Sequence, residues 1–150
     1  MMQITNSKNC TGCQACRLIC PKQCISMVED DEGFQIPEID QKNCTNCGLC
    51  AKRCPENTHT NSIKTTALKI LGARLKDDKL LSKSTSGGVF VGIAKKILET
   101  PGNAVFGCAF DENMVARHVC VTDFKNIEPL QSSKYVQSDV GDTYLQTKKF

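Results

Sequence analysis

The fold of the first third of the chain is decided by the stretch Cys10-Thr11-Gly12-Cys13-Gln14-Ala15-Cys16-Arg17-Leu18-Ile19-Cys20-Pro21. Its spacing, Cys-x2-Cys-x2-Cys-x3-Cys-Pro, returns 34 residues later, from Cys44 to Pro55. Eight of the eleven cysteines belong to these two copies. Three thiolates at intervals of three residues can surround one face of an iron-sulfur cube, and a fourth before a proline points away from it. The spacing therefore predicts two 4Fe-4S clusters.

The fourth cysteine of each copy decides how the ligands are shared. In two-cluster ferredoxins it ligates the cluster of the other copy. This rule predicts a first cysteine set made of Cys10, Cys13, Cys16 and Cys54. It predicts a second cysteine set made of Cys44, Cys47, Cys50 and Cys20.

Other uses of cysteine fit this pattern less well. Zinc sites also contain Cys-x2-Cys, but their two pairs are typically separated by roughly 15 to 20 residues, whereas these cysteines come as triplets plus one. A disulfide framework is disfavoured because the cysteine count is odd and no secretion signal opens the chain. Cys24, Cys108 and Cys120 are expected to pack as small apolar side chains, with a reactive or ligand role as the alternative for Cys24.

Composition restricts the classes of partner. The formal charge is +3 over 150 residues, and the lysines and arginines are scattered among few aromatic residues, so nothing indicates a nucleic-acid interface. The longest apolar stretch, near residues 89–94, is far shorter than the roughly 20 residues that span a bilayer. The sequence predicts a cytoplasmic protein that binds neither nucleic acid nor a membrane.

The residues between the two copies predict a β-hairpin. Mostly apolar segments at 25–28 and 34–39 flank the acidic run 29–33, which ends in a glycine. We expect this hairpin to pack over the clusters and exclude water. The acidic run favours a solvated turn, and a docking patch for a redox partner is the alternative.

Short elements are also predicted around the cysteines. Gln3 to Thr5 favours a strand, and the segment before the proline of each copy favours one helical turn. Gly12 and Asn46 occupy the same place in the two copies and are the residue types that most readily take a positive φ. We expect both to be left-handed and to aim backbone N–H groups at sulfur.

Beyond the cysteines the chain alternates between polar and apolar segments. Residues 59–66 predict a linker, in which His59 is expected to be solvated. After it come a strand at 67–75, a polar turn at 76–79, and an amphipathic helix with Val89, Phe90, Ile93, Ala94, Ile97 and Leu98 on its buried face. The last predicted elements are a hairpin of strands at 104–110 and 115–121, and a helix at 139–150.

Two polar segments of this region carry possible binding chemistry. Ser84-Thr85-Ser86-Gly87-Gly88 precedes the helix and suits phosphate, although a hydroxyl at a helix start is ordinarily an N-cap. Ser132 to Ser138 combines a cation, a phenol, an amide and hydroxyls, although the residues alone favour a polar surface loop.

The order of these motifs resembles the N-terminal part of the coenzyme F-420 hydrogenase/dehydrogenase beta-subunit family. The two cysteine copies are followed by Ser84 to Phe90, Val105 to Phe110 and Ser133 to Ser138, and the resemblance covers nearly all of the chain. Members of that family are iron-sulfur flavoproteins, in which FAD mediates between one-electron clusters and a two-electron acceptor. Two departures stand out: Ser132 replaces a usual glycine, and the chain stops at Phe150 before a further Gly-Thr-Pro-Cys-Gln type motif.

The resemblance implies an α+β protein. Residues 1–58 would form a ferredoxin-like two-cluster domain, and residues 67–150 the incomplete N-terminal part of a mixed α/β flavoprotein domain from a truncated oxidoreductase. It implies FAD contacts at Ser86, Gly87, Gly88, Ser133, Lys134, Tyr135 and Gln137, and a redox partner protein or small-molecule electron acceptor. A stand-alone electron carrier or non-enzymatic iron-sulfur subunit is the rival hypothesis.

Overall fold

Short helices and antiparallel hairpins alternate along the chain, which makes it an α+β protein. The computed structural model describes Ile4, residues 9–57 and residues 69–150. The chain divides into two compact units, Met1–Thr65 and Thr66–Phe150. The predicted strand at Gln3 to Thr5 lies outside the described residues apart from Ile4, as do His59 and the predicted linker.

Among its described residues, the first unit contains two one-turn helices and one hairpin. Its elements are α1 (Ala15–Ile19), β1 (Ile25–Glu29), β2 (Gln35–Ile39) and α2 (Leu49–Arg53). Strands β1 and β2 pair antiparallel, with Ile25 opposite Ile39, so the predicted hairpin is confirmed. In its acidic turn, Asp30 Oδ1 accepts hydrogen bonds from the backbone N–H groups of Glu32 (3.0 Å) and Phe34 (2.8 Å).

Cysteine side chains make up much of the core of the first unit. The buried members are Cys16, Cys24 and Ile25. Around them pack the partly buried side chains of Ile4, Cys20, Ile39, Cys44 and Cys50. So small an apolar core is typical of domains in which metal-thiolate bonds supply a large share of the folding free energy.

The second unit contains three helices, one hairpin and several 3-10 turns among the residues described. The main elements are α3 (Asp78–Ser82), α4 (Val89–Leu98), β3 (Val105–Phe110), β4 (Ala116–Val121) and α5 (Thr143–Gln146). Strands β3 and β4 pair antiparallel, with Val105 opposite Val121. The predictions of α4 and of this hairpin are confirmed. Within the described ranges, no helix is long and apolar enough to cross a bilayer.

The predicted strand at 67–75 and the turn at 76–79 are wrong where the structure describes them. Residues 69–75 form neither helix nor strand, and the expected turn is the start of α3. Asp77 caps that helix, because its Oδ1 accepts from the backbone N–H groups of Lys79 (3.0 Å) and Leu80 (3.2 Å). An aspartate at this position satisfies N–H groups that would otherwise lack a partner, so a polar run that suits a turn also suits a helix start.

The predicted helix at 139–150 is shorter than expected. Asp139 lies beside β4 in extended form: its N–H donates to the Ala116 carbonyl (2.8 Å), and His118 N–H donates to its carbonyl (2.9 Å). Gly141 then turns the chain with a φ of 54° before α5 begins. Pairing with β4 therefore replaces the first turn of the expected helix.

The buried face of α4 differs from the predicted one. The helix buries Val91 and Ala94 against Val105, Ala109 and Val121 of the hairpin, whereas the expected core residue Ile93 is 56% exposed. Val89, Phe90 and Ile97 are exposed as well. Because this helix is apolar around most of its circumference, its periodicity did not single out one face.

A close contact in this core gives a stability prediction. A Cβ at Gly107 would lie 2.6 Å from Leu130 Cδ2, whereas a Cβ at Gly72 would have nothing within 4 Å. Gly107→Ala should lower the free energy of unfolding of the second unit by about 1–3 kcal/mol through overpacking, and Gly72→Ala should leave it nearly unchanged. Urea unfolding followed by tyrosine fluorescence reports this unit, because both tyrosines, Tyr135 and Tyr144, lie in it. Equal midpoints for the two variants would contradict the prediction.

Candidate functional site

The first cysteine set gathers around one narrow cavity of the first unit. The cavity measures about 20 Å³ and is bordered by Met27 of β1, Pro37 of β2 and the half-buried Glu56. Its wall includes all four cysteines of the set: Cys10, Cys13, Cys16 and Cys54. Cys54 comes from the second copy of the motif and the other three from the first.

The second cysteine set lines a larger cavity of about 520 Å³. Its wall includes Cys20, Cys44, Cys47 and Cys50. Cys24 borders the same cavity as a fifth thiol, with its Sγ 3.4 Å from Cys20 Sγ. The fourth cysteine of each copy thus lies with the triplet of the other copy.

The crossing has a local cause in the residue that follows each fourth cysteine. Cys20 ends α1 with φ −71° and ψ 113°, and Cys54 ends α2 with φ −68° and ψ 121°. Both precede a proline, whose ring disfavours helical backbone in the preceding residue. The chain therefore leaves each helix in extended form, and the fourth cysteine lines the cavity of the other triplet.

Left-handed residues bend both cysteine loops. Gly12 (φ 64°) and Asn46 (φ 53°) confirm the prediction, and each donates its backbone N–H to the sulfur of the preceding cysteine, Cys10 or Cys44, at 3.4 Å. The structure adds a second equivalent pair, Gln14 (φ 61°) and Gly48 (φ 72°), at the starts of α1 and α2. Gly48 could have indicated this turn, because glycine readily takes a positive φ. No sequence pattern predicts the left-handed conformation of Gln14.

The pKa values of the thiols reflect burial and mutual contact. Burial raises the pKa of Cys16 to about 11. The hydrogen bond with Cys20, followed by burial, raises the pKa of Cys24 to about 11. Burial also acts to raise the pKa of Cys20, but hydrogen bonds from backbone N–H groups and from the Cys24 thiol outweigh it, so the net direction is down. Because metal binds the thiolate form, loading with metal displaces the proton of a buried thiol such as Cys16.

Cys24, which was expected to pack in the core with a reactive or ligand role as the alternative, also lies at this site. It is buried and belongs to the core cluster, so the packing prediction is confirmed. The same side chain also borders the second cavity. The repeat did not favour a place at the cavity for this cysteine, because the equivalent position in the other copy is Thr58.

The donor chemistry of both sets fits an iron-sulfur cluster. Each cavity is lined by four thiols of one cysteine set, which are the ligands that such clusters use. The cavity of the second set has the larger volume. In a 4Fe-4S cube each thiolate binds a different iron atom, so the ligands surround a cube and not one ion. Throughout the described residues, no three His, Cys, Asp or Glu side chains are arranged to hold a single metal ion.

The predicted flavin residues before α4 have a packing role. Gly88, in left-handed form (φ 66°), starts the helix, and a Cβ there would lie 2.9 Å from Leu75 Cδ1. A Cβ at Gly87 would overlap the carbonyl oxygen of Ala73, and the Gly87 carbonyl accepts a hydrogen bond from Leu75 N–H at 2.9 Å. Ser86 is also left-handed, with a φ of 60°. The glycine pair therefore lets the 73–75 segment lie close to the helix start.

The other predicted flavin segment lies in a loop after a 3-10 turn. Lys134 Nζ donates to the carbonyls of Pro129 (2.5 Å) and Ser132 (2.8 Å), while Tyr135 is 91% exposed. Ser133 is exposed and Gln137 is half-buried.

Two contacts connect the residues that precede each predicted flavin segment. Ser84 Oγ donates to Gln131 Oε1 at 3.1 Å, and Lys83 pairs with Glu128 at 2.8 Å. The two segments thus start from neighbouring points of the second unit.

Comparison with known proteins identifies the first unit's chemistry. Residues 9–58, a third of the chain, match the family model of the 4Fe-4S dicluster domain. No curated protein matches the chain significantly. Residues 9–58 therefore form an iron-sulfur domain of the electron-transfer type, which agrees with the two sets of thiols described above.

Substitution of Asn46 tests the importance of the left-handed loop. Asn46→Val should speed the loss of the second cluster to a chelator by about tenfold, because a β-branched residue is disfavoured by roughly 1–2 kcal/mol in this conformation. Asn46→Gly should retain the wild-type rate, because glycine adopts the same φ. The measurement is the anaerobic decay of visible cluster absorbance after addition of EDTA. Wild-type decay in both variants would show that the loop conformation does not control retention.

Proposed function

We propose that the protein transfers electrons through two 4Fe-4S clusters, one held by the first cysteine set and one by the second, and exchanges them with a flavin-dependent oxidoreductase centre. The observation that supports the ligand assignment most is the crossed arrangement, in which each cavity is lined by three thiols of one copy and the fourth thiol of the other. When bound, the clusters supply one-electron chemistry.

The residues around the sulfurs hold and tune the ligands. The N–H groups of Gly12 and Asn46 donate to Cys10 and Cys44 and stabilise negative charge on sulfur. Met27 and Pro37 of the hairpin border the first cavity and limit the access of water to it. Solvent exposure and hydrogen bonds to sulfur are main determinants of the potential of such a centre.

For the second unit we propose a share in FAD binding, through Ser86, Gly87, Gly88, Ser133, Lys134, Tyr135 and Gln137. The support is the resemblance to the coenzyme F-420 hydrogenase/dehydrogenase beta-subunit family and the neighbouring starts of the two segments. Bound flavin can accept electrons singly and release them in pairs, which would connect the clusters to a two-electron acceptor. We place this activity in the cytoplasm, with a redox protein or a small molecule as partner.

A stand-alone electron carrier is the second candidate. It is favoured because two of the predicted flavin-binding residues make contacts within the protein itself. Gly87 makes room for the 73–75 segment, and the Lys134 ammonium is bound by two backbone carbonyls. Both residues thus make structural contacts that do not require a flavin.

Metal analysis tests the cluster assignment. After anaerobic reconstitution the full chain should contain about eight irons, and Cys13→Ser or Cys47→Ser should each lose about four by destroying one centre. Cys108→Ser is the matched control and should lose none, because Cys108 lies on β3 in the second unit. Zinc in place of iron, or fewer than about six irons per wild-type chain, would overturn the proposal.

Flavin analysis separates the two candidate functions. Acid precipitation of protein reconstituted with iron, sulfide and FAD should release about one FAD per chain if the second unit takes part in flavin binding. Release of no FAD after gel filtration would exclude the flavoprotein role and leave the carrier.

A further inference from the structure

The two copies of the cysteine motif differ in charge at several equivalent positions, and at the residue after the proline the charge is reversed. Lys22 follows Cys20-Pro21 and Glu56 follows Cys54-Pro55, 34 residues later. Because the fourth cysteines cross over, Lys22 borders the second cavity and Glu56 borders the first. This position of the repeat thus places a positive charge at one centre and a negative charge at the other.

Two further differences act in the same direction. Lys52 borders the second cavity, and its equivalent in the other copy is Leu18. Gln14 is buried and borders the first cavity, whereas its equivalent, Gly48, has no side chain to cover the second. Arg17 Nε donates to Gln14 Oε1 at 3.2 Å.

The solvent exposure of the cysteines also differs between the two sets. In the first set, Cys16 and Cys54 are each only 7% exposed. In the second set no cysteine is fully buried, and Cys47 is exposed. The second centre therefore lies closer to water than the first.

On the basis of the function proposed above, we propose that Lys22 and Glu56 give the two clusters different reduction potentials. The cluster held by the second cysteine set has the higher potential and accepts an electron first. Reduction adds a negative charge to a centre. A neighbouring cation and solvent both stabilise that added charge, and a neighbouring carboxylate opposes it. Charge and exposure thus favour reduction at the same centre.

A charge swap on the loaded full-length chain tests this inference. Anaerobic potentiometric titration followed by electron paramagnetic resonance should resolve two one-electron steps in the wild-type protein. Lys22→Glu should move the upper step to lower potential, and Glu56→Lys should move the lower step to higher potential. Each change should alter the corresponding redox equilibrium constant on the order of tenfold, reduced by added salt.

The double variant Lys22→Glu/Glu56→Lys keeps the net charge and should narrow the separation between the two steps. Asp31→Lys is the matched control for Glu56→Lys, because it makes the same change of charge in the exposed turn of the hairpin. It should shift both steps slightly and leave their separation unchanged.

Iron content measured on the same samples separates the possible failures. Low iron content would contradict the function proposed above. Three results at full iron loading would overturn this inference alone. The first is a single unresolved reduction step in the wild-type protein, and the second is a shift of the lower step in Lys22→Glu. The third is a separation between the two steps that the double variant leaves unchanged.

Discussion

The exchange of fourth cysteines between the two copies is the constraint on which the first unit depends. The pre-proline positions Cys20 and Cys54 are extended, so each helix delivers its last thiol to the cavity of the other copy. Neither copy completes a set of four thiols by itself. Since few fully apolar side chains fill the core around Cys16, Cys24 and Ile25, bonds from sulfur to iron would tie the two copies into one folded unit.

The same exchange allows two motifs with the same cysteine spacing to form different environments. Lys22 and Glu56 stand at one position of the repeat, yet they border different cavities because their neighbouring cysteines cross over. Gln14 and Gly48 differ in the same way, with a buried amide at one loop and no side chain at the other. A duplicated sequence thus gives one sheltered centre and one that is more open to water.

The second unit depends on close packing rather than on metal ligands. Gly107 admits Leu130, and Gly87 and Gly88 admit the 73–75 segment. A two-stranded sheet covered on one face by α4 is a small core, so each close approach matters. The residues that resemble a flavin-binding segment therefore also carry part of the stability of this unit.

The sequence by itself determined the elements whose cause is local. Cysteine spacing gave the iron-sulfur domain, prolines gave the ends of α1 and α2, the acidic Gly33 turn gave the first hairpin, and Gly12 and Asn46 gave left-handed turns. Tertiary structure alone decided that α4 buries Val91 and not Ile93, because a helix apolar on most sides takes its buried face from what packs against it. It also decided that Asp139 pairs with β4 instead of starting a helix, and that Cys24 reaches the second cavity. Those outcomes depend on contacts between residues far apart in the chain, which local spacing does not encode.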